Sequence, residues 1–115
     1  MVKVIALFKR KSDITLEEFS RYWYEKHWPF GLKIIPKEVY AGVKKYVQNP
    51  AIRLPGGGEP PFDGVLELHF DNFESLQKWN EWYFSDAGKA LQDDEKNFMD
   101  RDKMIVVITE ERVVR

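Results

Sequence analysis

Apolar and polar positions alternate along this chain in two distinct rhythms. Val2 to Phe8 is an unbroken β-rich apolar run that stops at Lys9-Arg10-Lys11, and it predicts a first strand. Thr15-Leu16-Glu17-Glu18 then offers a capping box, with Thr15 at the cap and Glu18 three residues on. Behind it Leu16, Phe19, Trp23, His27 and Phe30 recur at steps of three and four, the spacing of one helix face. Pro29 is expected to end or kink this helix, because its ring crowds the preceding turn and it has no N–H to donate. Gly42 to Gln48 predicts a second strand. Gly64 to Phe70 predicts a third, with Leu66, Leu68 and Phe70 on one face and Asp63, Val65, Glu67 and His69 on the other.

Asp71-Asn72 can cap a second helix carrying Phe73, Leu76, Trp79 and Tyr83. Ser85-Asp86 is expected to restart helix with Ala87, Ala90, Leu91, Asp94 and Phe98 on one side, and Met104 to Thr109 reads as a last strand, apolar on both faces. Between the second and third strands, Asn49 to Pro61 is rich in Pro and Gly and is expected to be a long mobile loop beside the cleft. The order is β-α-β-β-α-β, which predicts one α+β domain over residues 1–115 with a ferredoxin-like, four-stranded antiparallel sheet and both helices on one face. Strands that are apolar on both faces cannot leave the other face in water. Pairing of two sheets in a homodimer, as in a dimeric α/β barrel, is the expected remedy.

Composition narrows the function classes. At 115 residues the chain can bury one core, and 43% hydrophobic against 32% charged residues suits a folded soluble domain. A formal net charge of -1 with no basic run beyond Lys9-Arg10-Lys11 argues against nucleic acid, and no stretch has the length of a membrane span. The sequence contains no cysteine, which removes thiolate nucleophiles, Cys-based zinc sites and iron–sulfur clusters, and suits a reducing, cytoplasmic location. Four tryptophans in so short a chain call for a deep core, an interface or a pocket for flat hydrophobic ligands.

Two histidines are the candidates for proton transfer. His27 shares the inward stripe of Phe19 and Trp23, next to the backbone break expected at Pro29. It could shuttle protons in a cleft there, or fasten the end of the helix by a hydrogen bond. His69, Glu67 and Asp63 share one strand face, where a Glu–His pair could orient an imidazole or simply form a polar outer surface. Asp94 faces inward and needs a donor or a cation, Arg10 being one candidate. No spacing of the His-Glu-x-x-His kind points to a metal, and Gly56-Gly57-Gly58 lacks the Lys-Ser/Thr of a phosphate loop. Tyr22, Trp23, Trp28, Phe30, Trp79 and Tyr83 are candidates for binding a small hydrophobic or aromatic ligand.

Several of these segments together resemble the EthD family, named for an operon that degrades ethyl tert-butyl ether. They are Phe8-Lys9-Arg10-Lys11, Thr15-Leu16-Glu17-Glu18-Phe19, Tyr22-Trp23, His27-Trp28-Pro29, Phe62 to Phe70 and Asp94 to Asp100. The resemblance spans nearly the whole chain and implies the dimeric α/β-barrel superfamily. It implies cofactor-independent enzymes of small lactones and aromatic polyketides, or partners of an oxidative degradation pathway. Muconolactone isomerases of similar design place a proton-handling histidine at the position of His27, and the wider superfamily includes haem-degrading and quinone-forming monooxygenases. His69 departs from the larger aromatic residue expected there. The leading expectation is proton transfer beside a carbonyl (isomerase, dehydratase or decarboxylase chemistry) by His27, supported by Asp63, Glu67 or His69, with no cofactor or metal. An oxidoreductase, monooxygenase or pathway-accessory role and a non-catalytic ligand-binding dimer are the alternatives.

Overall fold

The computed structural model describes residues 1–115, and its strands lie where period-two alternation places them. The four are β1 (Val2–Phe8), β2 (Val43–Pro50), β3 (Gly64–Phe70) and β4 (Ile105–Glu110). They form one antiparallel sheet in the order β2-β3-β1-β4. This is the ferredoxin-like arrangement. β1 and β3 run over the predicted residues, while β2 continues to Pro50 and β4 starts one residue late.

Register decides which side chains share a face. Val4 pairs with Leu68 and Ile108, so these residues face the helices. Lys3 pairs with His69 and Thr109, and Ile5 with Glu67 and Val107, so these occupy the opposite, outer face. No helix covers the outer face. β4 is bare on both sides, with Ile105, Val106, Val107 and Ile108 each 46–50% exposed.

The first crossover contains α1 (Leu16–Tyr22), a π-helical turn (Trp23–His27), α2 (Trp28–Ile34) and α3 (Lys37–Tyr40). The capping box forms as predicted: Glu18 N donates to Thr15 Oγ1 and Thr15 N to Glu18 Oε1, each at 3.0 Å. Pro29 does not end the helix. It sits in the first turn of α2, where a missing N–H costs little, and the Trp28 N–H reaches five residues back to the Trp23 carbonyl. A π turn carries one extra residue, so the buried stripe advances by one position beyond it. His27 stays inward, but Gly31 takes the buried place that regular periodicity assigns to Phe30, which is only partly buried.

The second crossover contains α4 (Phe73–Tyr83), α5 (Lys89–Glu95) and a 3-10 turn (Arg101–Lys103). Ser85 does not restart helix. Its hydroxyl donates to the Trp82 carbonyl at 2.6 Å and closes the end of α4. The late start of α5 at Lys89 changes its phase: Ala87 and Ala90 are exposed, and Gly88, Leu91, Glu95 and Phe98 point inward.

Two apolar clusters fill the space between helices and sheet. One gathers Trp79, Trp82, Leu76 and Leu91 over Val4, Leu68 and Phe70; the other gathers Phe19, Trp23, Phe98 and Met99 over Ala6 and Phe8. Gly64 is required by the second cluster, since a Cβ there would stand 2.7 Å from the Trp23 ring and 3.0 Å from Phe19. The segment after α5 is tied beside β1 by Lys11 N to Phe98 O (3.1 Å) and Asp100 N to Lys9 O (2.8 Å), which holds Phe98 and Asp94 against the π turn.

Candidate functional site

Where the π turn passes into α2, it faces a narrow internal cavity of about 40 Å³ between the helices and the sheet. Trp23, His27, Trp28, Tyr46, Trp79 and Glu95 are among its lining residues. The volume suits one or a few water molecules or a small reacting fragment. Trp28 and Tyr46 also line a broad open groove of about 1040 Å³, bordered by α1, β2 and the residues after β2. Their rings stack at 4.3 Å between centroids and form the partition between groove and cavity.

His27 is buried, and its ring packs 5.0 Å from that of Phe98. Its Nδ1 lies 2.7 Å from Asp94 Oδ2. A carboxylate accepts, so Nδ1 carries the proton and the Nε2 lone pair, which has no protein partner, is left for the cavity. Asp94 Oδ1 accepts from the Tyr22 hydroxyl (2.8 Å) and from Asn97 Nδ2 (3.1 Å). Burial pushes the His27 pKa below its ordinary 6.5, against the opposing pull of Asp94, and so favours the neutral ring. Desolvation works upward on Asp94, but hydrogen bonds from His27, Tyr22 and Asn97 outweigh it and hold this carboxyl below 3.8. A neutral imidazole with one nitrogen anchored and the other free can take a proton from a bound molecule.

Glu95 enters the cavity from the end of α5. It is 6% exposed, and its Oε1 accepts from the Tyr83 hydroxyl at 2.6 Å and from Arg101 Nε at 2.9 Å. Burial raises its pKa above 4.5 despite these two donors. Tyr46 is partly buried, with its hydroxyl accepting from Gln48 Nε2 at 3.1 Å, and desolvation pushes its pKa up to about 12.

The other sequence-predicted residues lie elsewhere. Asp63 does not support His27: it is 1% exposed and accepts from Arg10 N at 2.8 Å and Arg10 Nη1 at 2.6 Å. Arg10 is therefore spent on Asp63, and Asp94 finds its partner in His27 instead. Glu67 and His69 do pair, at 3.0 Å between Oε1 and Nε2, but on the outer face, with the sheet between them and His27. Among the aromatic candidates, Trp23, Trp28 and Trp79 line the cavity. Tyr22 and Tyr83 act behind it, holding Asp94 and Glu95 by hydrogen bonds, and Phe30 packs on the core.

Glu95, Tyr46 and Gln48 are the residues that sequence reasoning missed. For Glu95 a signal existed: Leu91, Glu95 and Phe98 are spaced four and three apart, a valid inward stripe once α5 starts at Lys89. In the loop over residues 51–61, Arg53 donates to Glu17 at 2.8 Å and to Glu59 at 2.9 Å in exposed ion pairs. No three His, Asp or Glu side chains converge on a possible metal position.

The comparisons agree with this fold. A crystallised ethyl tert-butyl ether D (EthD) family protein from Bacillus halodurans is 28% identical, with 97% of this chain and 99% of that chain covered and a TM-score of 0.66. An EthD-like protein from Ralstonia eutropha is 16% identical over 99% and 94% of the two chains, with a TM-score of 0.67. A dimeric protein of unknown function with a ferredoxin-like fold from Bacteroides fragilis is 18% identical over 96% and 95%, with a TM-score of 0.60. No curated protein matches. The EthD domain pattern itself matches residues 11–102, from the end of β1 through both crossovers, and the chain belongs to the EthD family.

Proposed function

We propose that the protein is a cytoplasmic homodimer that binds a small hydrophobic or aromatic ketone, lactone or acid and moves a proton next to its carbonyl group, without a cofactor. One observation carries the reading: His27 lines an aromatic cavity, is anchored to Asp94 through Nδ1 at 2.7 Å, and has no protein partner on its second nitrogen. In this scheme Nε2 takes the proton from the carbon beside the carbonyl, Asp94 steadies the imidazolium that forms, and the aromatic walls hold the flat ligand. Only the reacting edge of the ligand occupies the cavity, and the rest of it lies in the groove, against the Trp28 and Tyr46 rings that line both spaces.

The outer sheet face supports the dimer. Ile105 and Val107 stand beside Ile5 and Leu7 on a face no helix covers, and half-exposed apolar side chains in that density mark an interface. Dimeric relatives of the same fold add to this argument. Light scattering on the eluting protein should give about twice the 13.7 kDa chain mass at micromolar concentration; a stable monomer would refute the pairing. Proton NMR in D2O tests the chemistry. A panel of cyclic ketones and unsaturated lactones should lose α-proton signal faster with the protein than with His27→Asn. Equal rates across the panel would reduce the protein to a binding or accessory dimer.

A further inference from the structure

Asp94 and Glu95 are consecutive yet turn to different partners. Asp94 grips His27 Nδ1 from behind, while Glu95 reaches into the same cavity that His27 lines. The two side chains are mounted alike. On His27 one nitrogen is anchored and the other has no protein partner. On Glu95 the Oε1 accepts both the Tyr83 hydroxyl and Arg101 Nε, while Oε2 bonds to no protein atom. A carboxyl fixed only for structure would commonly use both oxygens on its donors, and an Arg–carboxylate pair gains most from two parallel bonds. Here Arg101 instead puts a second nitrogen, Nη2, on the Tyr83 hydroxyl at 3.3 Å, leaving Oε2 open.

Resting on the acid–base reading above, we infer that Glu95 is a second catalytic residue, an acid that returns a proton to a different carbon from the one His27 deprotonates. The substrate class this fits is a β,γ-unsaturated ketone or lactone, converted to its α,β-unsaturated isomer. His27 Nε2 removes the α proton; the C–H electron pair becomes a double bond to the carbonyl carbon, and the oxygen carries the dienolate charge. The Glu95 Oε2–H then protonates the γ carbon, the double bond shifts into conjugation, and the carbonyl re-forms. One proton leaves and one arrives, so substrate and product are isomers. Transfer of the proton from the His27 imidazolium to the Glu95 carboxylate across the cavity restores both groups. The charged and titratable groups around Glu95 suit this cycle. Tyr83 and Arg101 hold Oε1, Tyr46 shares the cavity wall, and the Asp94 charge one residue away disfavours a second carboxylate. Burial keeps the carboxyl proton on to a higher pH than in water.

The test uses 3-cyclohexen-1-one in D2O, with α-deuteration and conversion to 2-cyclohexen-1-one followed in one NMR time course. The full-length wild type should do both. Glu95→Gln keeps the shape and has no acidic proton to give to the γ carbon, so in this variant conversion should fall far more steeply than α-deuteration. The variant should lose conversion by about 100-fold or more. Loss of both reactions in equal proportion, or conversion at the wild-type rate, overturns the assignment and leaves His27 as the sole proton carrier. Absence of both reactions in the wild type, with the enone precursor present in excess, overturns the acid–base reading itself. Should Glu95→Gln fail to give a cooperative melt, Glu95→Asp retracts the acid by one methylene; the same split between deuteration and conversion is expected, and an unchanged ratio refutes the role.

Discussion

His27 and His69 are both buried and each lies beside a carboxylate, yet the two faces of the sheet give them different chemical lives. His27 lines a cavity on the helix side with one ring nitrogen anchored and one unpaired. His69, on the outer face, has Glu67 Oε1 3.0 Å from Nε2 and Met1 Sδ 3.3 Å from Nδ1, so both nitrogens are occupied by protein atoms. Lys3 bridges to Glu67 at 3.7 Å and to Glu111 at 3.3 Å, and Asn49 donates to Glu67 at 3.0 Å, completing a polar patch among apolar neighbours. A carboxylate beside a histidine therefore leaves two different sites, one with an unpaired nitrogen in a cavity-lining residue and one with both nitrogens occupied.

Replacing each histidine by Asn breaks the comparison most directly. His27→Asn should lower the exchange rate by about two to four orders of magnitude while costing stability on the order of 1 kcal/mol. His69→Asn should leave the rate within a few fold. A large rate loss in the second variant and none in the first would reverse the assignment of the two faces.

Interface chemistry is the next largest effect. Val107 pairs with Ile5 on the outer face and is 46% exposed in the single chain, so Val107→Asp should cost the monomer little. In a twofold interface it buries two like charges, which should weaken association by about 3 kcal/mol or more, a factor of at least about 100. Light scattering should then report the single-chain mass. An unchanged dimer would place the interface elsewhere.

A smaller effect is expected from Asp94→Asn. The amide oxygen can still accept from Nδ1, so the ring keeps its orientation, but the imidazolium loses its counter-charge. The rate should fall by roughly 10- to 100-fold, less than for His27→Asn. A loss equal to that of His27→Asn would mean that Asp94 sets the tautomer alone.

Proton linkage gives the smallest signal, and its sign separates the two cavity groups. The His27 pKa is depressed in the folded state, so the unfolded chain binds more protons as pH falls from about 6.5, and stability is lost on acidification. The Glu95 pKa is raised, so the folded state binds the extra proton and stability is lost as pH rises from 4.5 through its folded value. Melting temperatures measured across this range should fall less on acidification in His27→Asn than in wild type, and fall less on alkalinisation in Glu95→Gln. Parallel curves for all three proteins would show that neither group is shifted by burial.

The sequence by itself determined the order of elements, the residues of β1 and β3, the capping box at Thr15 and the inward place of His27. These rest on neighbours in the chain: alternation sets a strand face, and a hydroxyl three residues from a Glu sets a helix start. Tertiary structure decided the rest. The partner of His27 is Asp94, 67 residues away, and the partner of Arg10 is Asp63, 53 residues away, pairings that no local rule selects. Glu95 turned inward only because the close of α4 at Ser85 delayed α5, and the extra residue of the π turn exchanged Phe30 for Gly31 in the buried stripe. A shift of one residue rotates a helical side chain by about 100°. Periodicity therefore names the residues that could face a cavity, and packing chooses which of them do.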